Sequence, residues 1–218
     1  LNAFQYPLYF LDYETMSGVV PPVDGSRPYQ QIPTQYSVHI LPAAGAPLEH
    51  REFMHQDKTN PGLPLLKQLQ QDIGPVGSVI VWHEPFEKGR NQELGEIFPE
   101  YAHFMKQLNE RVIDLKTPFS EQWYEDARFY GSASIKKVLP VLVPELSYTK
   151  LAIHEGQAAQ RIWMDVVLNH KFPNKREQIF KDLLEYCALD TLAMVRIYEK
   201  LNALSPSPAR EPVQSRLL

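Results

Sequence analysis

Asp12 and Glu14 stand two residues apart at the end of a run of bulky and aromatic residues, Leu8-Tyr9-Phe10-Leu11-Asp12-Tyr13-Glu14. Such a run reads as a buried strand, and because strand side chains alternate faces, both carboxylates project to the same side. Like charges held together repel, and a divalent cation between hard oxygen ligands is the usual resolution. A second signal lies far along the chain, in Glu185-Tyr186-Cys187-Ala188-Leu189-Asp190-Thr191. Four residues apart on a helix, Tyr186 and Asp190 share a face, and a phenol beside a carboxylate can hold an attacking water in line. The third is Trp82-His83-Glu84-Pro85-Phe86-Glu87-Lys88, where carboxylates open a helix directly after an apolar strand. Each signal alone has a plain structural reading: a sheet-edge acid, an amphipathic helix, a helix start that favours negative charge. Together, in this order and at this separation, they point to metal-assisted chemistry.

The elements that must position these groups follow from pattern. Pro21, Pro22, Gly25, Pro28 and Pro33 make Val20 to Pro33 a loop. Strand-like runs from Gln35 to Ile40 and from Leu48 to Phe53 complete an antiparallel meander with the first strand. Leu63, Leu66, Leu69, Gln70 and Ile73 recur at helical spacing, and Ser78-Val79-Ile80-Val81-Trp82 reads as a strand buried on both faces. Helices are expected at Phe86 to Phe98 and Tyr101 to Asn109, then a short strand from Arg111 to Leu115. Three more helices follow, Ser134 to Leu142, Glu155 to Leu168 and Arg176 to Leu204. Pro206, Pro208 and Pro212 mark Ser205 to Leu218 as a frayed or disordered tail. This order predicts an α/β domain with a mixed five-stranded sheet, three antiparallel strands and then two parallel ones, flanked by helices.

Composition removes several alternatives. At 218 residues, 44% of them hydrophobic, the chain is long enough for one domain with a sizeable core. No apolar run approaches the ~20 residues of a membrane span, and the start resembles no signal peptide. A first residue of Leu1 suggests a piece of a longer polypeptide with an upstream domain. The single Cys187 excludes a disulfide framework or a thiolate zinc cage and fits a reducing, cytoplasmic setting. The histidines lack zinc-ligand spacing, and no Gly-x-x-x-x-Gly-Lys phosphate loop occurs. A net charge of -4 offers no global attraction to nucleic acid, so a polyanion needs a local basic rim or bound cations.

In combination the motifs resemble those of the DEDD (DnaQ-like) 3′→5′ exonuclease superfamily, tyrosine-bearing DEDDy branch, on a ribonuclease-H-like fold. Asp12 and Glu14 match the first motif, and Tyr186 and Asp190 match the third. The second, usually Asn-x-x-Phe-Asp, is His83-Glu84-Pro85-Phe86-Glu87, with His for Asn and Glu for Asp. The longer Glu carries its carboxylate about 1.5 Å further out, against Mg²⁺–oxygen distances of about 2.0–2.1 Å. Pro28-Tyr29-Gln30-Gln31-Ile32-Pro33, Ser37-Val38-His39 and Ser134-Ile135-Lys136 give a narrower resemblance to an uncharacterised bacterial family that carries such a domain at its C-terminus.

The resemblance implies two divalent ions, Mg²⁺ or Mn²⁺, held by Asp12, Glu14, Glu87 and Asp190, with Tyr186 orienting the attacking water. The implied reaction is 3′→5′ hydrolysis of single-stranded DNA or RNA to nucleoside 5′-monophosphates. The competing reading is a catalytically degenerate module that binds nucleic acid or protein, suggested by Glu87. Candidate substrate contacts are Met16 for base stacking, His83 and Lys88 at the second motif, and Lys136 and Lys137 at a helix start that Ser134 would cap. Arg90, Lys171, Lys175 and Arg176 are further candidates for backbone phosphates. Tyr13 should point away from Asp12, Asp114 should serve a turn or cap, and Asp165 should be peripheral. Cys187 and all three tryptophans, Trp82, Trp123 and Trp163, are expected in the core.

Overall fold

The structure, a computed structural model, describes residues 4–204. Five strands, β1 (Leu8–Met16), β2 (Ile32–Leu41), β3 (Glu49–Met54), β4 (Ser78–Val81) and β5 (Val112–Asp114), form one sheet in the order β3-β2-β1-β4-β5. β2 is antiparallel to β1 and β3, whereas β4 runs parallel to β1 and β5 parallel to β4. This is the mixed α/β sheet expected from the order of elements, in the ribonuclease-H-like arrangement.

Alternation along β1 builds two cores. Tyr9, Leu11 and Tyr13 pack with residues of α1 (Gly62–Asp72), α2 (Glu84–Ile97) and α3 (Ala102–Glu110). Leu8, Phe10 and Met16 pack on the other side, below α5 (Ile135–Leu142), α6 (Gly156–Val167) and the long α7 (Arg176–Leu204). A four-residue α4 (Thr117–Ser120) joins that second layer through Phe119. Asp12 and Glu14 share the parity of Phe10, so they face α5–α7.

Two boundaries differ from expectation for identifiable reasons. β2 begins at Ile32 instead of Gln35, because Thr34 is an extra residue: Glu14 pairs Gln35 while Thr15 pairs Pro33. At that bulge a proline, which lacks an N–H, breaks no ladder bond. α2 begins at Glu84 instead of Phe86, since Pro85 fits the first turn and Asp114 Oδ2 accepts the Glu84 N–H at 3.0 Å. Trp82 and Trp163 are in the core as expected, but Trp123 is not: it lies in the loop after α4, outside both clusters, and is 73% exposed. The expected tail from Ser205 to Leu218 lies outside the described residues. Among the described residues, no helix is long and apolar enough to cross a membrane.

Candidate metal centre

Asp12, Glu14 and Asp190 each offer a carboxylate oxygen, and these oxygens all lie within 4.8 Å of one another. The first two come from the middle of the central strand, the third from α7, which crosses β1 and β2. Leu183, Cys187, Asp190 and Met194 recur on the inward face of that helix, and all are buried. Hydrogen bonds fix its register: Gln35 Nε2 donates to the Leu183 carbonyl at 2.9 Å, and Thr191 Oγ1 lies 2.8 Å from Ser37 Oγ. Cys187, the small buried residue expected, sits with Sγ 3.9 Å from Asp12 Oδ2, where a larger side chain would push the helix off the strand.

Burial dominates the electrostatics. It holds the Asp12 carboxyl well above the usual carboxylate range, and repulsion from Asp190, Glu14 and Glu87 adds to it. Glu14 is raised by burial and by Asp190, with Lys136 opposing. Burial raises Asp190 too, while a hydrogen bond from Tyr148, the Lys136 charge and Tyr186 pull it back. Without a cation the group therefore retains protons. Oxygens on one Mg²⁺ at about 2.0–2.1 Å are at most about 4.2 Å apart, so this all-oxygen donor set, with small adjustment, fits one hard divalent cation.

Two tyrosines and a lysine close the site. Tyr148 donates to Asp190 Oδ1 at 2.5 Å, and its ring centroid is 6.3 Å from that of Tyr186. Lys136, on α5, donates to the Tyr186 hydroxyl at 3.1 Å and to the His154 carbonyl at 2.6 Å. Its ammonium lies 5.2 Å and 5.5 Å from the centroids of the Tyr186 and Tyr148 rings. Burial and the surrounding carboxylates hold both phenols above their ordinary range, so both stay protonated. Gly156 opens α6 against the group: a Cβ there would stand 3.9 Å from the Tyr186 hydroxyl and 4.0 Å from Glu14 Oε2. Tyr148 was missed by sequence reasoning. It sits in a short 3-10 segment, with no spacing relation to any motif.

Glu87 is not brought into this group. It lies in the first turn of α2, 2% exposed, with Oε2 unpartnered. Burial, joined by repulsion from Asp114, pushes it up to about 8. Its field reaches Asp12 and also Tyr13, on the opposite face of β1, so it borders the group without joining it.

The proposed substrate contacts divide. Met16 is 1% exposed inside the α5–α7 core, so it offers no surface for a base to stack on. His83 is exposed at the N-cap of α2, its carbonyl accepting the Phe86 N–H at 2.9 Å. Lys88 pairs with Glu84 at 2.5 Å, and Arg90 with Glu93 at 3.3 Å. Lys171 is held by Asp165 at 2.9 Å on the periphery, and Arg176 donates to the Val166 and Gln56 carbonyls. Lys137 is exposed, its ammonium 5.9 Å from the Tyr130 ring centroid. Ser134 occupies the N-cap of α5, but its side chain makes no capping bond. Asp114 accepts the Glu84 and Lys116 N–H groups, the cap-and-turn role expected of it.

The model of a domain of unknown function (DUF2779) matches residues 9–134, a span that includes Asp12, Glu14 and Glu87 and stops before Tyr186 and Asp190. The chain is 24% identical over 208 residues to "Uncharacterized protein MG366" of Mycoplasma genitalium, covering 86% of this chain and 31% of the relative. It is 27% identical over 207 residues to the homolog of that protein in Mycoplasma pneumoniae, with the same two coverages. To "Uncharacterized protein UU173" of Ureaplasma parvum it is 25% identical over 219 residues, 86% of this chain and 30% of the relative. The chain thus spans under a third of the length of these curated relatives. No solved structure is a significant match.

Proposed function

The chain belongs to the DUF2779 family, a domain of unknown function, and we propose that it is a divalent-cation-dependent phosphodiesterase of the DEDDy exonuclease type. Its substrate would be single-stranded DNA or RNA, trimmed from the 3′ end to nucleoside 5′-monophosphates in the cytoplasm. The observation that carries this reading is the meeting of Asp12, Glu14 and Asp190 within 4.8 Å, beside a protonated phenol.

Mg²⁺ or Mn²⁺ bound here would supply Lewis acidity to the phosphate and acidity to a nearby water. The three carboxylates hold that charge in place. Tyr148 occupies Asp190 Oδ1 and so fixes the rotamer of the carboxylate. Tyr186, protonated and anchored by Lys136, orients the water for in-line attack. The water oxygen bonds to phosphorus as the P–O3′ bond breaks, and its proton ends on the departing 3′ oxygen. The greater length of the relatives leaves room for an upstream domain, and the activity proposed is that of the domain described. A second reading, a nucleic-acid-binding module without turnover, is favoured by one observation, the position of Glu87 outside the carboxylate group.

The test is incubation of 5′-labelled single-stranded DNA and RNA with Mg²⁺ or Mn²⁺, beside Asp190→Ala. A ladder shortening from the 3′ end, lost in the variant, supports the exonuclease and reports sugar preference. Intact oligonucleotide that is still retarded in a gel shift moves the assignment to the binding module.

A further inference from the structure

We infer that Lys136 is a working part of this centre, supplying in fixed form the positive charge that a second divalent ion would bring, so that the centre takes one divalent cation beside one ammonium. The inference rests on the phosphodiesterase reading for its substrate, and its charge argument rests on the place of Lys136 against Tyr186 and Tyr148 at the carboxylate group.

Three carboxylates meet here and the fourth, Glu87, stays out. One divalent cation and one ammonium neutralise the three carboxylates, so the group reaches charge balance without a second ion. Lys136 is only partly exposed, enclosed by two aromatic rings, and its field reaches both Glu14 and Asp190. Among the described residues it makes no ion pair within 4.0 Å, unlike Lys88, Lys171 and Arg90. An ammonium has three N–H donors. The His154 carbonyl and the Tyr186 hydroxyl take two of them.

The third donor is free for an anionic ligand, and a non-bridging oxygen of the substrate phosphate is the ligand whose chemistry suits it. Lys136 then has two tasks that need no proton transfer. It holds the phosphate, and it fills one lone pair of the Tyr186 oxygen so that the phenol is left to donate. Lys137, next in sequence, faces the exposed Tyr130 instead, so only one residue of this basic pair can act in the centre.

The test is a Mn²⁺ titration of the domain followed by electron paramagnetic resonance of the free ion, on wild type, Lys136→Gln and Lys136→Arg, beside hydrolysis at saturating Mn²⁺. One Mn²⁺ per wild-type chain is expected. Lys136→Gln should bind Mn²⁺ about tenfold more tightly, or accept a second ion, since a repelling charge is gone. Its turnover should fall by at least tenfold, with partial recovery in Lys136→Arg. A merely structural lysine would weaken metal binding and turnover together. Two Mn²⁺ in wild type, or unchanged or weaker binding in Lys136→Gln, would overturn the inference. Absence of hydrolysis in wild type would instead defeat the exonuclease reading while the Mn²⁺ result still judged Lys136, and no Mn²⁺ binding at all would defeat both.

Discussion

The two faces of β1 are built from alternate residues of one strand and obey opposite rules. Towards α1–α3, Tyr13 of β1 is tied into a chain of hydrogen bonds. Tyr13 donates to Asn91 Oδ1 at 2.8 Å, Asn91 to Asn109 Oδ1 at 2.8 Å, and Asn109 to the Lys88 carbonyl at 3.0 Å. Towards α5–α7, three carboxylates crowd together and are compensated only in part, by Tyr148, Tyr186 and Lys136. The Tyr13 hydroxyl on one face is satisfied without a ligand; the carboxylates on the other are left in need of a cation. Within a single strand, therefore, stability and reactivity are separated by parity, and substitutions at adjacent positions should behave in opposite ways.

The largest contrast is between Leu11 and Asp12. Leu11 is fully buried among α1–α3 residues, and Leu11→Ala should cost about 2–5 kcal/mol in urea unfolding. Asp12→Asn, one residue on, should raise the melting temperature in the absence of divalent cations, because it removes a carboxylate that burial and three like charges disfavour. An Asp12→Asn chain as unstable as Leu11→Ala would break the contrast and make the acids structural. Next in size is the response to cations. Mn²⁺ at about a hundred times its Kd should stabilise wild type by about 2.7 kcal/mol. The same addition should leave Asp12→Asn nearly unchanged, and equal stabilisation of both would place the ion elsewhere.

Beside the acids, His39 provides a pH test of the same face. Its Nδ1 lies 2.7 Å from Thr191 Oγ1, its ring stacks on His50 at 4.3 Å, and burial, with His50 and Arg196 adding repulsion, lowers it to about 4 from the ordinary 6.5. A depressed histidine binds fewer protons folded than unfolded. Its contribution is therefore intact above 6.5 and is lost as pH falls from there to about 4. Between pH 7 and pH 5 the loss should be about 2 kcal/mol. His50 shifts the same way, and the raised carboxylates shift stability in the opposite sense. The wild-type minus His39→Gln difference in urea unfolding at the two pH values isolates the term, and a difference independent of pH would refute it.

Much of the layout was legible because it depends on periodicity. A period of two places Asp12 and Glu14 together and sends Tyr13 to the far side; a four-residue step places Tyr186 over Asp190. The alternation of apolar runs and helical stripes was enough for a mixed five-stranded sheet covered by helices, while the order β3-β2-β1-β4-β5 is a finding of the structure. What escaped depends on three-dimensional packing without a local period. Thr34 bulges between the Glu14–Gln35 and Thr15–Pro33 pairs, and Tyr148 reaches Asp190 from a segment with no regular pattern. Met16 has the parity of the acids, yet it is buried in the α5–α7 core. Glu87 has the right place in the sequence, but which way a longer side chain turns in the first turn of a helix depends on neighbours, here Asp114, Arg90 and Lys116.

The smallest expected effect tests the quiet face. Tyr13→Phe keeps the ring in its apolar surroundings and removes only the hydroxyl that serves Asn91. A net hydrogen bond contributes about 1 kcal/mol, and leaving the Asn91 oxygen buried without a donor sets the loss at about 1–2 kcal/mol. Mn²⁺ affinity should not change, because the hydroxyl lies on the side of the sheet away from the carboxylates. That pairing of results, a measurable stability loss with an unaltered metal titration, is the reverse of the pattern expected for Asp12→Asn. If Tyr13→Phe altered Mn²⁺ binding, the two faces would be coupled through Glu87, the one carboxylate whose field reaches both Asp12 and Tyr13. Repeating the titration in Glu87→Gln would then reproduce the change, and the division of labour along β1 would have to be redrawn with Glu87 as the bridge.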